Sequence, residues 1–588
     1  MKRFLILLTL LLSQETVLAW SPQLEAEFQQ RSKEHLEKFP TGKYGSTAYE
    51  YEKQSYPRAM IDFLRGNQGD ALSEVSAAFA NSVPEAIAFL ESEDKQAELH
   101  SHTLGIDFYS GFTLKGQVRK YFGFGQFLSP GYKSRMREAM RLFTKVDPLT
   151  QHFDQPRKFW ENSTDNCDTW VDCRDTDNLK AMREVTVYLL AEETRNERTR
   201  QIYKDRIYQK VRSLYQTGQG EWDSETYLGH GLTTYVNLYD YAKDPEVKQL
   251  AKSALDWFTT TGALKYWRGG FGGPSKRDYG KGNCVWCSGA SQALGLYFGD
   301  SPVKDASQNP DLVHLIMSSY RPPAAAVALA RKEFTKPLEL LNSKPDYLNW
   351  KEDKPPAFHE TMYFTNSYQL GTLAEGSAVD WSGFKMMAYN SRRGVDYFIP
   401  SSSKPHSIAQ YQNLAVWLGT GDVQFFLPKS AVVEILRGKL FIKLEKTYLA
   451  IAPINLKFGN FTPAPNYPDD LVLSTIKGEG IAGFALEVGE GNYDNFKLTT
   501  LVNSQLKTNG EVAEYVSLKN RVKLQYTGAT PKVWRDGRYV DWNLYRDVYR
   551  ADYTNLNRAT IYQGYKSGKL KVIVNGVKSQ FGVFDRQH

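Results

Sequence analysis

The chain has 588 residues, more than one hydrophobic core accommodates, so two or three domains are expected. Hydrophobic residues make up 41% and aromatics 13%, which fits globular packing and excludes a disordered chain. The formal net charge of +7 is mild for this length and no Lys/Arg block stands out, which argues against a nucleic-acid partner and suits an anionic substrate.

Residues 1–19 read as a signal peptide: Lys2 and Arg3 precede an apolar run, and Val17-Leu18-Ala19 supplies small residues before a cut. That run is too short to span a bilayer, and no later segment is long and apolar enough. Release to a periplasm or outside the cell is expected, with a retained N-terminal anchor as the alternative. Cys167, Cys173, Cys284 and Cys287 are then expected to form disulfides that brace loops around the site. A four-thiolate zinc site is the alternative, and the wide first spacing speaks against it.

Helices are predicted over residues 57–66, 84–93, 132–145, 179–194 and 201–215. The next follows Asp223 or Ser224, either of which can cap it, with Leu228, Leu232, Tyr235, Tyr239 and Ala242 on one face. Asp244-Pro245 opens another, with Asp as cap and Pro at the first helical position. Residues 283–298 and 311–319 continue the series. Amphipathic helices joined by short loops predict an (α/α) incomplete toroid of helical hairpins over residues 20–345. A composition shift marks a linker at 346–357. Beyond it the period becomes two, and Asp536-Gly537 and Asn575-Gly576 read as hairpin turns. Residues 358–588 are therefore predicted to be an antiparallel β-sandwich domain.

The chemistry concentrates in residues 220–230, which hold Glu221, Trp222, Asp223, Glu225, Tyr227 and His230. Tyr227 and His230 are three apart, on one side of a first helical turn. Asn178 opens an earlier helix, where its amide could meet a substrate carboxylate, while Asp177 or Thr176 caps that helix. The glycine-rich loop after Trp267-Arg268 lets backbone approach a ligand, and Arg277 and Tyr279 follow it. His359 and Tyr363 lie on the first strand of the β domain, where they could face the helices across a cleft. The His359-Glu360 pair has no second His at helical spacing, so no zincin site is expected. No P-loop, dinucleotide fingerprint or Gly-x-Ser-x-Gly elbow is present, so neither metal nor cofactor is expected.

These parts resemble the two-domain polysaccharide lyases, the heparinase II/III, alginate and chondroitin lyase group. Motif similarity is clearest over residues 157–300, and Tyr363-Phe364-Thr365-Asn366-Ser367-Tyr368-Gln369-Leu370-Gly371 is similar to the opening strands of their β domain. The resemblance implies β-elimination on a uronate polysaccharide. It implies Asn178 as the group that neutralises the sugar carboxylate, Tyr227 as a proton-transfer residue, and His359 as a β-domain residue closing the cleft. Many relatives carry Asn-His in tandem, whereas Leu179 follows Asn178 here. His230 or Arg277 then fills the gap, and Tyr227 and Tyr279 compete for the acid role. Glu221, Trp222, Trp267, Arg268 and Tyr363 are expected to contact an anionic polysaccharide, and the protein is expected to be a monomer. The alternatives are a glycoside hydrolase using Glu221, Asp223 or Glu225, and a non-catalytic glycan-binding protein.

Overall fold

The computed structural model describes residues 20–40, 44, 55–66, 82–92, 94, 102–108, 111–145, 177–277, 285–299, 309–345, 356–376, 381–465, 467–551 and 560–586. The N-terminal part is helical and the C-terminal part is antiparallel β-sheet. Residues 1–19, expected to be a signal peptide, and Tyr279, Cys167, Cys173 and Cys284 lie outside the described residues, and Cys287 is disulfide-bonded.

The helices form two rows around a ring. Gly111–Gly123, Asp177–Thr194, Tyr227–Tyr241 and Gly289–Phe298 pack each against the next. Pro22–Lys38 packs on Gly289–Phe298 and on Tyr56–Gly66, which in turn packs on Gly111–Gly123, so the row closes on itself. Pro130–Lys145, Glu197–Thr217 and Pro245–Lys265 pack behind it. From Gly111 to Phe298 successive helices alternate between the rows, so the inner ones of that span run the same way and their N-termini gather at one end.

Local sequence explains the starts. Asp244 accepts the Glu246 N–H at 2.9 Å with Pro245 at the first helical position, and Ser288 accepts the Ser291 N–H at 3.0 Å. The Ser288 cap starts that helix at Gly289, later than the expected 283. A Cβ on Gly229 would lie 3.0 Å from the Gly289 carbonyl oxygen, so a glycine there lets two inner helices meet at their mouths.

Among the described residues the β part is layered. An eight-stranded sheet runs from Leu456–Ala464 at one edge to Leu338–Lys344 at the other. Its Leu370, Phe384, Met386 and Phe398 pack against Trp417, Ile442, Ile451 and Phe484 of a six-stranded sheet, which forms the expected sandwich. A five-stranded sheet covers the far side of the six-stranded one through Ala513, Tyr515, Val522 and Leu524, adding a third layer.

Two boundaries differ from expectation. Leu338–Lys344, placed within the helical span 20–345, is a strand paired with Phe358–Phe364. The last sheet, which includes Lys569–Val574 and Val577–Gly582, returns to the helices: Leu570, Val572 and Val574 share the helical core, and Trp257 Nε1 donates to Gln563 Oε1 at 3.0 Å. Its Asn575-Gly576 turn has φ of 52° and 76°, as a tight hairpin requires.

Candidate active site

Residues 220–230 join two inner helices by hydrogen bonds that satisfy their otherwise unpaired first-turn N–H groups. The Glu221 N–H donates to Asp177 Oδ2 at 2.8 Å, and the Asn178 N–H donates back to Glu221 Oε2 at 2.9 Å. Lys210 is ion-paired with the other oxygen of Asp177. Ser224 Oγ accepts the Tyr227 N–H at 3.0 Å and so steadies the next helix.

Five of the expected side chains come together at this end of the ring. Asn178 Oδ1 accepts the Leu179 N–H at 2.8 Å, so its NH2 is the end that can serve a ligand. Arg277 Nε lies 3.5 Å from Glu221 Oε1, and its guanidinium sits 5.3 Å from the centre of the Tyr227 ring. The Tyr227 and His230 ring centres are 6.0 Å apart. Asn178 is 3% exposed and Tyr227 9%, while the His230 side chain keeps 15%. Desolvation of this order strengthens each charge interaction inside the site. The mouths of Asp177–Thr194 and Tyr227–Tyr241 add positive dipole ends that favour an anion.

His230 has partners that sequence reasoning missed. Its Nδ1 is 2.9 Å from Lys115 Nζ and 3.3 Å from Asp311 Oδ2, and Lys115 and Asp311 are themselves ion-paired. Phe112 meets the ring edge-on at 5.2 Å. Lys115 and Asp311 belong to no motif and stand 196 residues apart, so no local signal exposes them.

The other two carboxylates of the segment hold the ring to the β-sheet. Asp223 Oδ2 lies 2.8 Å from Lys344 Nζ and 3.4 Å from Lys265 Nζ, and Glu360 pairs with the same two lysines. Burial pushes the Asp223 carboxyl up, but the Lys344 and Lys265 ammoniums outweigh it and hold its pKa below the ordinary value. Glu225 is ion-paired with Lys385. Carboxylates fixed in this way are poor general acids, which counts against the hydrolase alternative.

Several expected ligand contacts are instead structural. Trp222 is 1% exposed and packs against Phe358, with no open face on which a sugar could stack. Trp267 is buried with Val285, Met387, Val395 and Tyr397. Arg268 donates from Nε to the Gly394 carbonyl at 2.9 Å and covers the Tyr389 ring at 4.6 Å. The glycines of this loop serve the same contact: a Cβ on Gly270 would fall 2.6 Å from Met387 Sδ, so the loop lies flat on the sheet. His359 also departs from expectation. Alternate side chains of a strand face opposite ways. Phe358 and Glu360 face the helical ring, through Trp222 and Lys265, so His359 points to the other side. There it stacks on Trp542 at 4.6 Å, with Nδ1 2.7 Å from Glu375 Oε1. Tyr363 shares that side and packs against the sandwich core near Tyr368.

Fold and site together define a chain with a helical ring, stacked antiparallel sheets, and an amide, guanidinium, phenol and imidazole gathered where the inner helices begin. No protein-family model matches the sequence, and no curated protein matches it. Among solved structures, the chain is similar to chondroitin AC lyase of Streptomyces coelicolor A3 in complex with chondroitin sulphate, at 10% identity and a TM-score of 0.42 over 88% of this chain and 89% of that one. It is similar to a chondroitinase AC lyase solved with oligosaccharides, at 8% identity and a TM-score of 0.37 over 96% of both chains. It is also similar to a mutant of the heparan sulfate lyase HepC from Pedobacter heparinus, at 9% identity and a TM-score of 0.21 over 96% of this chain and 80% of that one.

Proposed function

We propose that this protein is an exported, monomeric lyase that cleaves a uronate-containing polysaccharide by β-elimination. The observation that supports this most is the run of contacts from Asn178 through Glu221 and Arg277 to Tyr227 and His230 at one set of helix mouths. A uronate places a carboxylate next to the carbon that must lose a proton. Neutralising that carboxylate lowers the barrier, because the departing proton leaves negative charge on the carboxyl oxygens. The Asn178 amide and the Arg277 guanidinium are the groups for that task. In this reading Tyr227 and His230 do the proton work. One takes the C5 proton, and the C–H electron pair becomes the C4=C5 double bond. The C4–O4 bond breaks, its pair goes to O4, and O4 takes up a proton. General acid–base transfer of this kind is worth about 10²–10⁴-fold in rate.

The test is the mass of the products. Elimination adds no water, so one fragment of each cut is lighter by one water than the corresponding hydrolysis product. Fragments of hydrolytic mass, or an uncut polymer across sulfated and unsulfated uronates, would remove the proposal.

A further inference from the structure

We infer that Lys115, braced by Asp311, fixes the tautomer of His230 so that the ring meets its ligand as an Nε2–H donor. The reason is donor and acceptor capacity. An ammonium has three donor hydrogens and no acceptor. Lys115 Nζ lies 2.9 Å from His230 Nδ1, so Nδ1 has to present a lone pair, and the ring proton sits on Nε2. Asp311 competes, because its Oδ2 is 3.3 Å from the same Nδ1 and would accept an Nδ1–H. That oxygen, however, already accepts directly from Lys115 Nζ. A proton on Nδ1 would then be held against the ammonium.

The surroundings reinforce the choice. The Lys115 side chain is 1% exposed, and Asp311 is buried beside it, so neither reaches a ligand; both are positioning residues. Burial pushes the Asp311 carboxyl up, but Lys115 and the contact with His230 together outweigh it and keep it ionised. Among the described residues, the titratable groups facing this cluster include Tyr227, one turn before His230, and His314, whose own pKa burial, with Arg119 nearby, drives well below its ordinary value. His314 is therefore neutral and adds no competing charge. For catalysis the inference rests on the lyase reading: an Nε2–H ring donates to a substrate oxygen, which leaves removal of the C5 proton to Tyr227.

The test reads the tautomer directly, without substrate. Full-length protein carrying ¹⁵N-histidine is examined by long-range ¹H–¹⁵N correlation, with the His230 signals assigned by their absence in His230→Gln. The expected pattern is a single tautomer, protonated at Nε2 and bare at Nδ1. An Nδ1-protonated or doubly protonated ring at neutral pH overturns the inference. In Lys115→Met/Asp311→Leu, which removes both charges at similar volume, the single-tautomer pattern is lost and turnover falls about tenfold or more. Lys115→Arg, which keeps a cationic donor, retains the pattern. If the double variant keeps the wild-type pattern, Lys115 does not set it and the inference fails. An Nε2–H ring in a protein that yields no unsaturated product would sink the lyase reading and leave the tautomer assignment standing.

Discussion

The Asn178 N–H donates to Glu221 Oε2 at 2.9 Å, and through that bond the mouth of one inner helix is tied to the segment that leads into the next. Glu221 also faces Arg277 at 3.5 Å, so it orients both groups expected to bind the sugar carboxylate. Glu221→Gln keeps an acceptor for Asn178 but removes the charge opposite Arg277. The expected result is a loss of about 1–3 kcal/mol in urea unfolding, with turnover lowered but retained. Complete loss of turnover with unchanged stability would instead make Glu221 a chemical participant, as a hydrolase requires.

Tyr227→Phe deletes one hydroxyl and keeps the ring between Arg277 and His230. Turnover is expected to drop by about 10²–10⁴-fold, the usual contribution of a positioned proton-transfer group. Binding of the polymer, measured by calorimetry, should change little. Activity within a few-fold of wild type would take the phenol out of the chemistry.

Lys344 stands between Asp223 and Glu360 with its side chain 1% exposed. Burial opposes its charge, but Asp223, Tyr549 and Glu360 keep its pKa above the ordinary lysine value. Lys344→Met strands a buried negative charge where ring and sheet meet, and should cost about 3–5 kcal/mol in denaturant titrations. A variant as stable as wild type would show that the network is not what holds these two parts together.

His406 provides a pH handle on the β part. It is buried with its ring stacked on Trp417 at 3.5 Å, and burial pushes its pKa from 6.5 down to about 3. The folded ring stays neutral while the unfolded chain takes up a proton. Its contribution is therefore full above pH 6.5 and is lost as the pH falls toward about 3, by about 1.4 kcal/mol per unit. Urea titrations at about pH 7 and about pH 5 should differ by about 2 kcal/mol more in wild type than in His406→Leu. Equal differences in the two proteins would contradict the burial effect.

What the sequence reveals here depends on how local the cause is. The Asp244-Pro245 start and the Asn575-Gly576 turn are written in adjacent residues, and both form as expected. Tyr227 and His230 meet because helical spacing alone brings them together. Leu338–Lys344 could not be read, since its leucines suit a helix equally well and only its pairing with Phe358–Phe364 makes it a strand. His359 and Tyr363 were legible as strand residues, but alternation does not say which face meets the helices. Trp222 and Trp267 show the same limit, because an aromatic ring fills a core as readily as it binds a sugar. Lys115 and Asp311 reach His230 only through the closing of the ring.

The most direct measurement is the ultraviolet absorbance of a reaction between the wild-type protein and a panel of uronate polymers, run beside Tyr227→Phe and beside a neutral glucan. A lyase with this site gives rising absorbance from the new C4=C5 bond on at least one uronate, little rise with the variant, and none on the glucan. Chain cleavage without that absorbance, or no cleavage of any uronate polymer, would contradict it.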